Sequence, residues 1–187
     1  MKESLKGKDV IKNTFLAMYE EKPFEKIKVK ELAERSGISR SAFYFYYEDV
    51  YDLYKKYQEE MLIFLEKDLS DIVMSTVVKN KEKYVKYLVE DMLRYVDKIE
   101  ILKIMLNGSE GLDFHKVWFE SIKRAYAKAM DFSDSRIDNY NRLMIDFYAS
   151  GHLQLLVEWL FEPQHTKEIA LLYANVSADA MFMGTFR

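Results

Sequence analysis

The sequence predicts an all-α protein, with three N-terminal helices in a helix-turn-helix arrangement joined to a body of about six further helices. Three observations lead there. Only two prolines occur in 187 residues, and both, Pro23 and Pro163, fall between strongly periodic stretches. Glu, Lys, Leu and Met, all good helix formers, are abundant. No run of alternating β-branched residues competes with apolar positions that recur every three and four residues.

The elements follow in order. A first helix is expected from about Gly7 to Glu21, with Val10, Ile11, Phe15, Met18 and Tyr19 as its apolar stripe, and Pro23 ends it. A second, shorter helix starts near Val29, carries Leu32 and Ala33, and stops at Ser36-Gly37, where glycine supplies the left-handed C-terminal residue. Ser39 suits the N-cap of a third helix, Arg40 to Tyr46. Asp49 caps a long fourth helix, with Asp52 near its positive end and Val50, Leu53, Tyr54, Tyr57, Met61, Phe64 and Leu65 on its buried side. Beyond Ser75, helices are expected at roughly Lys81–Val96, Lys98–Leu106, Asp113–Met130, Ile137–Phe161 and Thr166–Thr185. Breaks fall at Asn107–Leu112, which includes Gly108 and Gly111, at Asp131–Ser135, and at Glu162-Pro163-Gln164. Residues 1–50 form the first expected domain and residues 51–187 the second.

Composition narrows the class of protein. A 49% apolar content is enough for a packed core and argues against disorder. No apolar run approaches the ~20 residues that span a bilayer, so no membrane role is expected. Met1-Lys2-Glu3-Ser4-Leu5-Lys6 holds no hydrophobic signal core, which predicts a cytoplasmic location. The absence of cysteine removes disulfides, thiolate metal sites and thiol nucleophiles together. Net charge is -3, but residues 1–57 hold 12 Lys/Arg against 10 Asp/Glu, and the remainder 16 against 21. The excess of positive charge lies at the N-terminal end, where a phosphate backbone would be met.

The informative stretch is Lys28-Val-Lys-Glu-Leu-Ala-Glu-Arg-Ser-Gly-Ile-Ser-Arg-Ser-Ala-Phe-Tyr-Phe-Tyr-Tyr47. Two short helices meet at a glycine turn, and Ala33 is small enough to let them cross closely. Val29, Leu32, Ile38, Phe43 and Tyr47 fill the space between them, so that Arg40, Ser41, Phe45 and Tyr46 project toward a major groove. Ser39 and Ser41 can donate to phosphate, and Arg40 can pair with guanine or a phosphate. Phe45 can pack on thymine methyl groups, while Tyr44 and Tyr46 offer hydroxyls to the backbone. Lys28 and Lys30 open the preceding helix within reach of flanking phosphates.

At these residues the chain resembles the TetR (TetR/AcrR) family of bacterial regulators. The family's Thr-Val-x-x-Ile-Ala-x-x-Ala-Gly-Val-Ser-x-Gly-Thr-Leu-Tyr-x-His-Phe is in register with Lys28-Val29, Leu32-Ala33, Ser36-Gly37-Ile38-Ser39, Phe43-Tyr44 and Tyr46-Tyr47, with Tyr51-Asp52-Leu53 following. The match covers roughly residues 8–57. The resemblance implies a homodimeric transcription regulator, a repressor, that binds a near-palindromic double-stranded operator and is released by a small effector held in a ligand-binding, dimerising body. Three positions depart from the pattern: Lys28 for threonine, Ser41-Ala42 for Gly-Thr, and Val50, behind Glu48 and Asp49, for the lysine that opens the fourth helix. Acids in place of a base at that point reduce affinity for phosphates. They motivate a rival reading, a coactivator on the same fold that works through protein contacts with weak or no DNA binding.

In the body, Tyr95, Trp118, Phe147 and His152 are candidates for an aromatic-lined site suited to a small apolar or aromatic effector, although such residues also serve as ordinary core. The last two helices carry Met144, Phe147, Tyr148, Gly151, Leu155, Leu156 and Trp159 on one and Ile169, Leu172, Tyr173, Val176, Ala180 and Met183 on the other. They are expected either to pair with a second subunit or to close the monomer's own core. The three histidines, His115, His152 and His165, show no metal-ligand spacing, and no phosphate loop or nucleophile elbow is present. No enzyme activity, metal or cofactor is expected.

Overall fold

The computed structural model describes residues 2–67, 69–107, 114–130 and 139–183. Among them there are ten α-helices, two 3-10 turns and no strand. The helices are α1 (Lys2–Glu21), α2 (Val29–Ser36), α3 (Arg40–Tyr46), α4 (Val50–Glu66), α5 (Leu69–Val77), α6 (Lys81–Arg94), α7 (Ile99–Leu106), α8 (Phe114–Ala129), α9 (Asn139–Leu160) and α10 (Lys167–Met183). The 3-10 turns are Phe24–Lys26 and Val96–Lys98. None of the described helices is long and apolar enough to cross a membrane. The breaks expected at Gly108, Gly111 and Asp131–Ser135, and the side chain of Met183, lie outside what is described.

The chain divides into two compact units. The first is Met1–Leu62 with Ile104–Phe114, and the second is Ile63–Lys103 with His115–Arg187. In the first, α1 packs on α2 and α2 on α3. Ile11, Phe15, Met18, Leu32, Phe43, Leu53 and Tyr54 are wholly buried there. The aromatic residues interlock edge-on: Tyr54 meets Phe24 at 5.4 Å, Tyr19 at 5.8 Å and Phe15 at 6.2 Å between ring centroids. Such pairs contribute about 0.5–1.5 kcal/mol each beyond the area they bury. Val10 is exposed rather than part of the α1 stripe, because it sits a ~100° helical step from Ile11, which takes the inward position. The first helix also begins at Lys2, ahead of the expected Gly7. Glycine is tolerated inside it because the Tyr46 hydroxyl lies 3.2 Å from where a Cβ on Gly7 would stand.

In the second unit α6 is central, with α5 and α10 packed on it and α9 against α10. Ala170, Ala174 and Ala178 recur every four residues on α10 and are fully buried, so a row of small side chains on its inner face lets backbones approach closely. Tyr84 of α6 and Ser177 of α10 hydrogen-bond at 2.6 Å in the interior. The Asn80 side chain caps α6 by accepting from the Lys83 amide at 2.9 Å. Helix α5 is not separable in the sequence, because the apolar spacing runs on from Leu65 through Leu69, Ile72 and Val73 with neither Gly nor Pro between.

Candidate nucleic-acid interface

The helix-turn-helix is built by local chemistry. Gly37 takes φ +69°, and two amides close the end of α2, Ile38 to the Ala33 carbonyl at 3.1 Å and Gly37 to the Glu34 carbonyl at 3.3 Å. This is the Schellman arrangement, which satisfies the orphan carbonyls of the last turn. Two residues on, the Ser39 hydroxyl accepts from the Ala42 amide at 3.0 Å and starts α3. Its own hydrogen stays available to an acceptor outside. Leu32, Ala33, Phe43 and Tyr47 are buried between the helices, whereas Val29 and Ile38 are only half-buried.

Helical geometry then decides what faces out. Arg40, Ser41, Tyr44 and Phe45 are at positions i, i+1, i+4 and i+5, so they share one side of α3, and all four are exposed. Tyr44 is 56% and Phe45 79% exposed, with the Phe45 ring edge-on to Tyr46 at 5.0 Å. Tyr46 differs: it is half-buried against Gly7, with the Lys8 ammonium 6.0 Å from its ring. Lys28 and Lys30 are exposed at the start of α2. Neither they nor Arg40 are in an ion pair among the described residues, and Lys28 donates only to the Glu25 carbonyl at 3.1 Å. Elsewhere in this unit Arg35 pairs with Glu21 and Glu31, Lys56 with Asp52, Lys12 with Glu60 and Lys22 with Glu31. Glu31 is accordingly held below the ordinary carboxylate range, chiefly by its hydrogen bond from Lys22.

Two of the acids that open α4 have structural work. The Asp49 carboxylate accepts from the Asp52 amide at 2.7 Å, and the Asp52 carboxylate accepts from the Glu48 amide at 3.0 Å and from Lys56 at 2.8 Å. The Lys56 hydrogen bond lowers the Asp52 pKa. Capping fixes the entry to α4 by charge-assisted bonds to orphan amides. The cap at Asp49 is legible in the sequence, and the geometry adds the return bond from the Glu48 amide to Asp52.

The four effector-site candidates are scattered through the second unit. Tyr95 and Trp118 are buried and meet edge-on at 6.3 Å. His152 is fully buried, 6.4 Å edge-on from Tyr126. Phe147 is 66% exposed and not grouped with them. Beside Tyr95 is an arrangement the sequence reading passed over. Asp91, 2% exposed, accepts from the Tyr95 hydroxyl and pairs with Arg94, which also donates to the Phe64 carbonyl. The guanidinium lies 4.6 Å from the Phe64 ring centroid. Asp91, Arg94 and Tyr95 are at i, i+3 and i+4 on one helix, a signal visible in the sequence but shared with ordinary surface pairs.

His152 makes no hydrogen bond at either ring nitrogen among the described residues, a state that costs about 1–3 kcal/mol per buried polar group. Burial lowers its pKa to about 4, against 6.5 for a free histidine. The folded state therefore stays neutral between those values while the unfolded chain takes up a proton. Stability should be constant above about pH 6.5 and fall by roughly 3 kcal/mol as pH drops toward 4, with no further loss from this group below that. Urea unfolding of wild type and His152→Leu across that range checks this, and a pH dependence unchanged by the substitution would refute it. His165, by contrast, places Nε2 3.0 Å from the Trp159 carbonyl at the end of α9, and His115 is exposed. No cluster of metal-ligating side chains occurs among the described residues.

Fold and site together define an all-helical helix-turn-helix protein with an exposed aromatic and cationic face on its third helix. The fold is similar to the solved structure of the dihydroxyacetone kinase operon activator DhaS, with a TM-score of 0.51 over 95% of this chain and 97% of that one, at 14% identity. No protein-family model matches the chain, and no curated protein matches it by sequence.

Proposed function

We propose that the chain is a TetR-type transcription regulator, a cytoplasmic repressor that binds a near-palindromic operator as a homodimer and is released by a small effector. The observation that carries this is the outward face of α3, Arg40, Ser41, Tyr44 and Phe45, with the unpaired Lys28 and Lys30 beside it. An exposed apolar ring and cations outside any ion pair among the described residues suit base edges flanked by phosphates. Selection of bound sequences from random DNA, followed by gel shift at several salt concentrations, tests it directly. Arg40→Ala should cost about 1–3 kcal/mol of specific binding, roughly 5- to 150-fold. Lys30→Ala should weaken all sequences alike and reduce the salt slope by about one. Absence of salt-sensitive binding to any sequence removes the proposal.

The homodimer is supported by α9 and α10. Their sequence stripes divide: Tyr148, Leu156 and Trp159 turn into the unit's own core, while Phe147, Leu172 and Val176 stay exposed. With Gly151, Leu155 and Ala180 they line a groove of about 470 Å³ whose exposed surface is almost wholly apolar. Exposed apolar surface of this kind marks a contact site, and a two-fold partner would bury the same groove on both copies. Leu172→Glu should shift sedimentation from dimer to monomer at micromolar concentration, while circular dichroism stays unchanged. Monomeric wild type under those conditions would count against the dimer.

A second reading is favoured by Glu48, Asp49 and Val50 where a lysine would meet phosphate. On this reading the chain is a coactivator that works through a partner protein, in keeping with a structural neighbour that is itself named an operon activator. Stoichiometric recovery of a partner with no DNA retained would select it.

A further inference from the structure

The interior of the second unit narrows the chemistry of the effector. His152 on α9 is fully buried with both ring nitrogens unpartnered. The Tyr126 ring of α8 lies 6.4 Å edge-on from it, and the buried Tyr126 hydroxyl has the Thr76 hydroxyl beside it. One turn before His152, Tyr148 stacks on Tyr126 at 5.7 Å with the planes 17° apart. Tyr148 is also part of the wall of a surface groove of about 280 Å³, shared with Thr76, Asn141 and Met144. A single aromatic layer thus lies between this groove and the ring nitrogens of His152, which make no hydrogen bond among the described residues. Buried polar groups in native proteins are otherwise paired, and an exception calls for an occupant.

Charge decides what kind. Among the described residues of this unit, the buried polar and charged ones are Ser75, Thr76, Asp91, Ser121, His152 and Ser177. Asp91 alone among them carries a charge, and Arg94 neutralises it. Lys79 stands at the groove itself, but a carboxylate or ammonium ligand passing inward to His152 would lose its hydration among uncharged rings. A neutral imidazole offers one N–H and one lone pair, and a phenol hydroxyl can both donate and accept. A hydroxyl therefore fits His152 and Tyr126 together, and stacked tyrosines fit an aromatic ring.

We infer that His152 and Tyr126, with Tyr148 as the ring that moves aside, form a binding site for a small uncharged phenol. The inference rests on the reading of the second unit as the effector-binding half. A ligand that satisfies these atoms would make an otherwise minor, opened conformation the dominant one.

The test uses the full chain without DNA and three probes of one ring size: phenol, benzoate and benzylamine. Millimolar phenol should raise the melting midpoint by a few degrees and shift the His152 ring signals in the NMR spectrum, and the two charged probes should do neither. His152→Leu should raise the midpoint of the free protein and weaken phenol at least tenfold. Tyr126→Phe, which removes one oxygen and leaves packing intact, should weaken phenol with no loss of stability. A lower midpoint for His152→Leu, an unmoved His152 signal or equal binding of benzoate overturns the site. A slowly exchanging water on His152 with no phenol response overturns it also. Gel shifts run in parallel separate the two claims: DNA binding without phenol binding sinks the site alone, and phenol binding without DNA binding sinks the regulator alone.

Discussion

Phe43→Ala should lower stability by about 3–5 kcal/mol, a large part of the 5–15 kcal/mol available to a typical domain. The ring is completely buried and lies 5.6 Å from Tyr44 and 5.7 Å from Tyr47. It is also the largest buried side chain of α3, which has only seven residues. A helix that short has little stability of its own, so its place depends on the side chain it buries. Truncation leaves a cavity that α2 and α3 cannot both close, since Leu32 and Ala33 are already fully packed. Urea unfolding followed by circular dichroism should show the midpoint drop, and any DNA binding should vanish before global unfolding. A loss under 1 kcal/mol would mean that α3 is held by something other than Phe43.

Arg94→Leu should be the costliest change in the second unit, again about 3–5 kcal/mol. Asp91 is taken almost wholly out of water, and Arg94 supplies its opposite charge. Without the guanidinium the carboxylate loses the opposite charge that Arg94 supplies, and the Phe64 carbonyl loses a donor. A buried charge left uncompensated costs far more than the pair contributes when intact. The double variant Asp91→Asn with Arg94→Leu should therefore recover much of the loss, because both charges leave together. Thermal melts of the two variants decide it. Equal damage in single and double variants would show that packing of Arg94 on Phe64 and Tyr95, at 4.6 and 5.2 Å, is what matters.

The sequence by itself determined the helical class, the bounds of α2 and α3 and the turn between them. These rest on short-range chemistry: Gly37 alone takes the left-handed conformation cheaply, Ser39 caps from one residue away, and apolar spacing marks which side of each helix is buried. The outward placing of Arg40, Ser41 and Phe45 followed from the same periodicity, whereas Tyr46, expected beside them, is half-buried and Tyr44 is exposed. Tertiary structure decided the rest. Tyr46 leans on α1 because a glycine thirty-nine positions earlier leaves room for it, a pairing no local pattern reveals. The Asp49 cap is expected from sequence, but that Asp52 accepts from the Glu48 amide and from Lys56 shows only in the fold. On α9, apolar positions occur all round the helix, so periodicity could not say that Tyr148 and Trp159 turn inward while Phe147 stays out. Nor could it separate a histidine buried without partners from one resting on a helix end. That difference depends on the folded packing, which puts the Trp159 carbonyl 3.0 Å from His165 and leaves the His152 nitrogens without a hydrogen bond among the described residues.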